Sequence, residues 1–205
     1  MAKPPDRRKG VSDLTAGCSI RHGVPPHLAG AAARLYWRHF GPVLQMLPTR
    51  PRQGVALVLA LMQPDHALVA LAPGGGLVGV AGLRGAGGGF LAITPAGFVR
   101  AFGPWQGRLR HELLALHGHG AETPDLILDG VAVRHGWRGR GIARALTEAA
   151  SAEARRLGHP ALRAEVEARN LDGLAAWRAL GFQPTGRERL GWPWQAPAHV
   201  LRRPV

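Results

Sequence analysis

Apolar positions follow two periods along the chain, and the switches between them mark out the elements. After Pro25-Pro26, the stretch HLAGAAARLYWRHF places Leu28, Ala32, Leu35, Tyr36 and Phe40 at helical spacing, which predicts a helix. Gly41-Pro42 is expected to break or kink it. QGVALVLALM predicts a second helix. CSIRHGV reads as a short first strand, and HALVALA and LVGVAGLR, separated by Pro73–Gly76, as a hairpin. GAGGG at 85–89 reads as a loop, and TPAGFVRAFGPWQGRLRHELLALHG as one or two helices before the next strand.

LILDGVAV, residues 126–133, is a continuous apolar strand with one acid in it, the pattern of a buried sheet centre. A loop rich in Gly and Arg follows, and then a helix with Ile142, Ala145, Leu146, Ala149 and Leu157 along one face. ALRAEVE predicts another strand, and NLDGLAAWRAL a helix stopped by Gly181. RERLG and AHVLRR are expected as two final strands around a WPW turn. The order strand–loop–helix–strand–helix from 126 to 180 requires a parallel pair joined by a right-handed crossover. With no repeat and no long linker, the chain reads as one α/β domain over 18–205 behind a flexible basic tail at 1–17.

Composition changes this picture in one respect. The 205 residues carry a formal charge of +13, a balance that attracts nucleic acid, anionic lipid or a phosphorylated cofactor. Yet the basic residues are almost all Arg, with the lysines confined to the tail, a bias that GC-rich coding produces without any binding role. The run Arg7-Arg8-Lys9 reads as solvated tail, and no specific nucleic-acid partner is expected. Cys18 is the single cysteine, which excludes an intrachain disulfide and a cysteine zinc cluster. VALVLALM is far too short to span a bilayer, and the N-terminus lacks a secretory core, so a cytoplasmic protein without membrane association is expected.

The loop HGWRGRGIARAL, residues 135–146, carries the chemistry. A Gly-rich turn between a buried strand and a helix directs main-chain N–H groups at an anion from the helix's positive end. Gly139 and Gly141 permit close approach, and Arg134, Arg138, Arg140 and Arg144 add charge. A Walker loop is excluded because no Lys is present, and a dinucleotide fingerprint fails because Arg144 fills its third small position.

Arg138-Gly139-Arg140-Gly141-Ile142-Ala143 resembles the acyl-CoA loop [Q/R]-x-x-G-x-[G/A] of the GCN5-related N-acetyltransferase (GNAT) family. Downstream, Val166, Asn170, Ala175, Trp177 and Gly181-Phe182 match the family's V-x-x-x-N…A…Y…G-F pattern, with Trp in place of Tyr. Asn170 is the only asparagine in the chain. The resemblance implies a mixed central sheet flanked by helices, with a helical insertion before the central parallel strand pair. It implies acetyl-CoA as co-substrate and an amine as acceptor. The strand before the loop would splay from its parallel neighbour. Main-chain groups of Val131 and Val133 would then bond the pantetheine arm, amides of Arg138, Gly139, Arg140, Gly141, Ile142, Ala143 and Arg144 would cradle the pyrophosphate, and the Asn170 side chain would bond near the pantetheine or the reaction centre.

The implied reaction is direct attack of an amine on the acetyl thioester, and the lack of a nucleophile elbow around any Ser agrees with it. Asp129, the one ionisable group in its strand, is the candidate base or ammonium anchor, and burial there would strengthen it as a base. Glu165 and Glu167 are fallback candidates on one strand face, expected to be solvated or salt-bridged. Trp177 cannot give a proton as the family's Tyr does, because an indole N–H has no usable acidity; a thiol of pKa about 8.5 can leave without strong acid help. His111, His117 and His119 read as loop residues rather than metal ligands, so no metal is expected. Tyr36 is expected in the core, Trp192 and Trp194 either in the core or at the acceptor cleft. A non-catalytic acyl-CoA-binding module is the alternative reading, and a homodimer is left open. Acids are few, so a polyamine acceptor is disfavoured unless the cleft is locally acidic.

Overall fold

Residues 17–44, 47–118 and 120–205 are described by the computed structural model. The tail expected at 1–17 lies, but for Gly17, outside them, as does His119. In chain order the elements are β1 (Ser19–His22), α1 (Ala29–Leu44), α2 (Pro51–Leu61), β2 (Ala67–Leu71), β3 (Leu77–Gly85), β4 (Gly88–Gly89), α3 (Pro95–Phe102) and α4 (Pro104–Leu113). There follow β5 (Leu126–Val133), α5 (Ile142–Leu157), β6 (Ala161–Glu167), α6 (Leu171–Ala179), β7 (Gln183–Glu188) and β8 (Ala198–Pro204). The strands form one mixed sheet in the order β1-β2-β3-β5-β6-β8-β7, with β4 folded back on β3. Only β5 and β6 run parallel, as the crossover through α5 demands. No described helix is long and apolar enough to cross a membrane.

Both sheet faces are covered, which is why the central strands read as apolar runs. Leu68 and Ala70 of β2 join the core under α5, while Ala67 and Val69 of the same strand join the core under α1 and α2. Ile142, Leu146, Ala150 and Ala154, four residues apart, seat α5 on the sheet. Leu157, expected on that stripe, is half exposed because it is the last residue of the helix.

Three expectations need correction, each for a stated reason. The Gly41-Pro42 pair does not break α1, which runs to Leu44. Pro42 falls in its last turn, so the one bond lost, from its missing N–H to Arg38 O, leaves the preceding turns intact. Gly41 is there for packing: a Cβ would lie 2.9 Å from the Trp37 ring. GAGGG is not all loop, since β3 continues to Gly85 and pairs with Gly88–Gly89 in a tight hairpin. The penultimate strand starts at Gln183, earlier than RERLG, and so takes in Pro184 and Gly186. That is tolerated because β7 is the sheet edge and bulges between those two residues.

The helix ends follow the sequence closely. Gly181, at φ 89, closes α6: its N–H reaches Arg178 O at 2.9 Å and the Phe182 N–H reaches Trp177 O at 3.1 Å, a Schellman pair that buries Phe182. An Arg202–Asp125 fork, at 2.6 and 2.8 Å, ties β8 to the start of β5.

Where α1 meets α2, the Trp37 indole fills the space a side chain at Gly54 would need. Gly54→Ala gains about 1 kcal/mol of helix propensity but overpacks this contact at a cost of about 2–3 kcal/mol. A net loss of stability in urea unfolding is the expected outcome, and a gain would show that the two helices slide apart freely.

Candidate active site

The ladder between β5 and β6 holds only at Leu126, Ile127 and Leu128, opposite Leu162, Arg163 and Ala164. Beyond it β6 continues to Glu167 against β8, and β5 continues to Val133 against β3. The two strands therefore part at Asp129. A β-bulge sits at the same point: Ala81 faces Val131 and Leu83 faces Leu128, so Gly82 alone opposes Asp129 and Gly130. The bulge shifts the alternation by one residue. Leu126 and Leu128 before it, and Val131 and Val133 after it, pack toward the same core.

Gly130 makes the bulge feasible. Its φ is 121°, and a Cβ would lie 2.6 Å from the Phe40 ring. Tyr36, one turn before Phe40 on α1, donates its hydroxyl to the Asp129 carbonyl oxygen at 2.7 Å. Burial first, and then the Asp129 carboxylate, hold the Tyr36 phenol well above its ordinary range, with Arg84 opposing them, so it stays a donor. The expected core position of Tyr36 is thus also a brace for the bulge.

The Arg134 amide donates to Val78 O at 2.9 Å. By strand alternation Ala132 then bonds to β3, and Val131 and Val133 turn their N–H and C=O groups the other way, into the gap left by β6. Past β5, Gly139 and Gly141 take φ values of 73° and 75°, and Gly141 caps α5. The first bond of the helix is from Ala145 to Gly141 O, so the amides of Ile142, Ala143 and Arg144 have no acceptor within the helix. No acid sits in that first turn.

The Arg138 amide is spent on His135 O at 3.2 Å, while its guanidinium lies 2.7 Å from His39 Nε2 and 3.4 Å from Val133 O. Arg140 stacks over Trp137, and Arg144 donates to Ala179 O at 3.1 Å. Asn170 has a structural partner: its Oδ1 caps α6 by accepting from the Gly173 amide at 2.9 Å. Trp177 lies edge-on to Phe182 and lines the gap.

The gap opens into a cleft of about 600 Å3 that joins the Ala143, Asn170 and Trp177 side to the α1, α2 and α3 side. Asp129 is less buried than expected, at 30 % side-chain exposure, and its Oδ1 accepts from Arg84 Nε at 3.3 Å. Arg84 also reaches Glu165 at 3.3 Å, Glu165 meets Arg163 at 2.9 Å, and Arg163 meets Glu188 at 2.7 Å. Glu165 is salt-bridged as its strand face suggested, but that face lines the cleft, as does Glu167. Three carboxylates against the single guanidinium of Arg84 give the lining a formal charge of −2 with its histidines neutral. In a chain of +13, the cleft is locally acidic.

Arg84 was not among the residues read from sequence, although a lone charge at the end of the apolar LVGVAGLR was a visible signal. Trp192 is buried, Trp194 stacks on it at 5.7 Å, and neither lines the cleft; Trp105 lies on the surface. His111 packs edge-on to Phe98 and His117 edge-on to Trp192. Among the described residues no cluster of three metal-ligating side chains occurs. Burial pushes the Cys18 thiol up, with Arg140 opposing, which makes it a poorer nucleophile.

The model of the Acetyltransferase (GNAT) family matches residues 32–182, and the chain belongs to that family. No curated protein matches it in sequence. Among solved structures, it is similar to a GCN5-related N-acetyltransferase from Kribbella flavida, with 19% identity, a TM-score of 0.57 and coverage of 92% of this chain and 98% of the other. An N-acetyltransferase from Staphylococcus aureus Mu50 gives 16% identity, a TM-score of 0.60 and coverage of 90% and 100%. The protein yncA from Salmonella typhimurium, solved with its cofactor acetyl-CoA, gives 16% identity, a TM-score of 0.55 and coverage of 91% and 93%.

The Arg163 guanidinium, opposed by burial and helped by the Ala121 amide, holds the Glu188 carboxyl below its ordinary 4.5. A carboxyl held low in the fold stabilises fully above pH 4.5 and ceases to as pH falls through its lower folded value. Glu188→Gln is therefore expected to lower the melting temperature at neutral pH and to flatten its fall below pH 4.5. Calorimetric scans at several pH values check this; parallel curves for the two proteins would contradict it.

Proposed function

We propose that the chain transfers the acetyl group of acetyl-CoA to a primary amine by direct attack inside the β5–β6 gap. One observation carries the reading: both strands continue past Leu128, yet the ladder between them stops there and leaves the β5 edge facing an open cleft. That edge fits the amides of a pantetheine arm, which would bond Val131 and Val133 as an added strand. The amides from Gly139 to Arg144, at the positive end of the 16-residue helix α5, fit a pyrophosphate. Asn170 and Trp177 border the arm, with only Nδ2 of Asn170 uncommitted to its helix cap.

The arrangement supplies alignment first, since amine and thioester meet at the one place where the sheet is open. Main-chain N–H groups of Val131 or Val133 that face the gap are suited to the developing oxyanion. Asp129 anchors the acceptor's ammonium or takes the proton whose loss frees the amine to attack, with Arg84 fixing its carboxylate and Glu165 behind it. Trp177 packs against the arm and gives no proton, so the departing thiolate is protonated from water.

Calorimetry with CoA tests the cofactor half. Gly141→Val, which forces a β-branched residue to φ 75°, is expected to weaken CoA at least about tenfold. Thiol release from acetyl-CoA with a panel of amines tests the transfer. Asp129→Asn is expected to lower kcat/KM by about 100-fold or more, in kcat for a base and in KM for an anchor. Trp177→Phe should leave kcat within about threefold. Binding of CoA with no thiol release from any amine would make the protein an acyl-CoA-binding module instead.

A further inference from the structure

The cleft divides its chemistry between two ends. All its carboxylates and its one guanidinium stand on the sheet: Arg84 on β3, Asp129 on β5, Glu165 and Glu167 on β6. The helical side carries none. There the wall is Phe40 and Leu44 of α1, Leu57 and Leu61 of α2, and Phe98 of α3, with Ile93 leading into α3. Among the described residues its titratable side chains are Tyr36, held protonated on the Asp129 carbonyl, and His39, turned to Arg138. Opposite this wall, His117, Gly118, Leu190 and Gly191 form a side in which Gly118 and Gly191 exchange main-chain bonds of 2.7 and 3.1 Å, and among the described residues no acid enters the cleft from it.

Resting on the acetyl transfer proposed above, we infer that the acceptor is a monoamine on an apolar body, an alkylamine or arylalkylamine. One ammonium is matched by the net negative charge beside Asp129. The remainder of the acceptor then lies along Phe40, Leu44 and Ile93, the partly exposed members of that wall, where each methylene removed from water adds binding. A second ammonium in the same molecule would meet that wall with nothing to pair it and would lose its hydration there. The basic exterior adds to the exclusion of polycations, and the carboxylates that could pair a second charge stand on the floor beside the first, not along the wall. The cleft's volume of about 600 Å3 suits a small molecule beside a cofactor arm. Ile93, 46 % exposed, is the part of the wall most open to the acceptor.

The test is the full chain with acetyl-CoA and propylamine, butylamine, pentylamine, hexylamine, 2-phenylethylamine, spermidine and a peptide with N-terminal Leu. The expected result is a rise of about fourfold in kcat/KM per methylene from propylamine to hexylamine, with spermidine below propylamine. A flat or falling series overturns the inference while leaving acetyl transfer standing, as does spermidine or the peptide as best acceptor. Calorimetry of hexylamine and spermidine with the CoA-saturated protein separates the two readings further. Tighter hexylamine supports the inference even where no thiol is released, an outcome that would sink only the transfer; equal or reversed affinities overturn it. Ile93→Asp, at an exposed position that tolerates a charge, is expected to flatten the chain-length series and to improve spermidine. An unchanged series in that variant removes this wall from acceptor binding.

Discussion

Between β5 and β6 the sheet gives up its ladder after Leu128 although both strands run on, which opens the middle of the sheet. Everything else about the site follows from how that opening is held. The bulge at Asp129-Gly130 turns β5 from its neighbour and shifts its alternation, so that Val131 and Val133 offer their polar groups to the gap while their side chains stay in the core. The helix α1 locks the bulge from the other face through the Tyr36 hydroxyl and the Phe40 ring. On the far side β6 parts without unravelling because β8 pairs with it along its whole length. An open edge kept rigid on both flanks is a template for an extended ligand, and the proposed pantetheine arm has that shape.

The electrostatics of the cleft run against the chain's composition. Arginines dominate the surface, but the opening is floored by carboxylates strung together by Arg84 and Arg163. Such a chain orients each acid while leaving the net sign negative. It also separates two functions spatially: anion-attracting amides at the α5 end, and an acidic floor where the cleft turns toward α2 and α3. The apolar helical wall completes a polarity gradient along one continuous cavity.

Much of this was legible beforehand, and the misses share a cause. The hairpin, the apolar strand at 126–133, the loop and the helix behind it follow from local periodicity and glycine placement, which depend on a few neighbouring residues. Pro42 reads as a breaker wherever it stands, yet so near the end of α1 the bond it removes leaves the preceding turns intact. Asn170 matched a family position, yet only the folded chain displays its bond to Gly173. Arg84 was overlooked since its partners Asp129 and Glu165 are distant in sequence.

The sequence by itself determined the elements, their order, the parallel pair and the glycines that let main-chain amides face an anion, because hydrophobic period and φ tolerance are properties of short stretches. Only the tertiary structure decided where β5 and β6 part, which carboxylates gather at the opening, and that the cleft of a basic protein is acidic. Those depend on strand register and on side chains brought together from β3, β5 and β6, and a register that shifts by one residue at a bulge leaves no mark in a linear pattern.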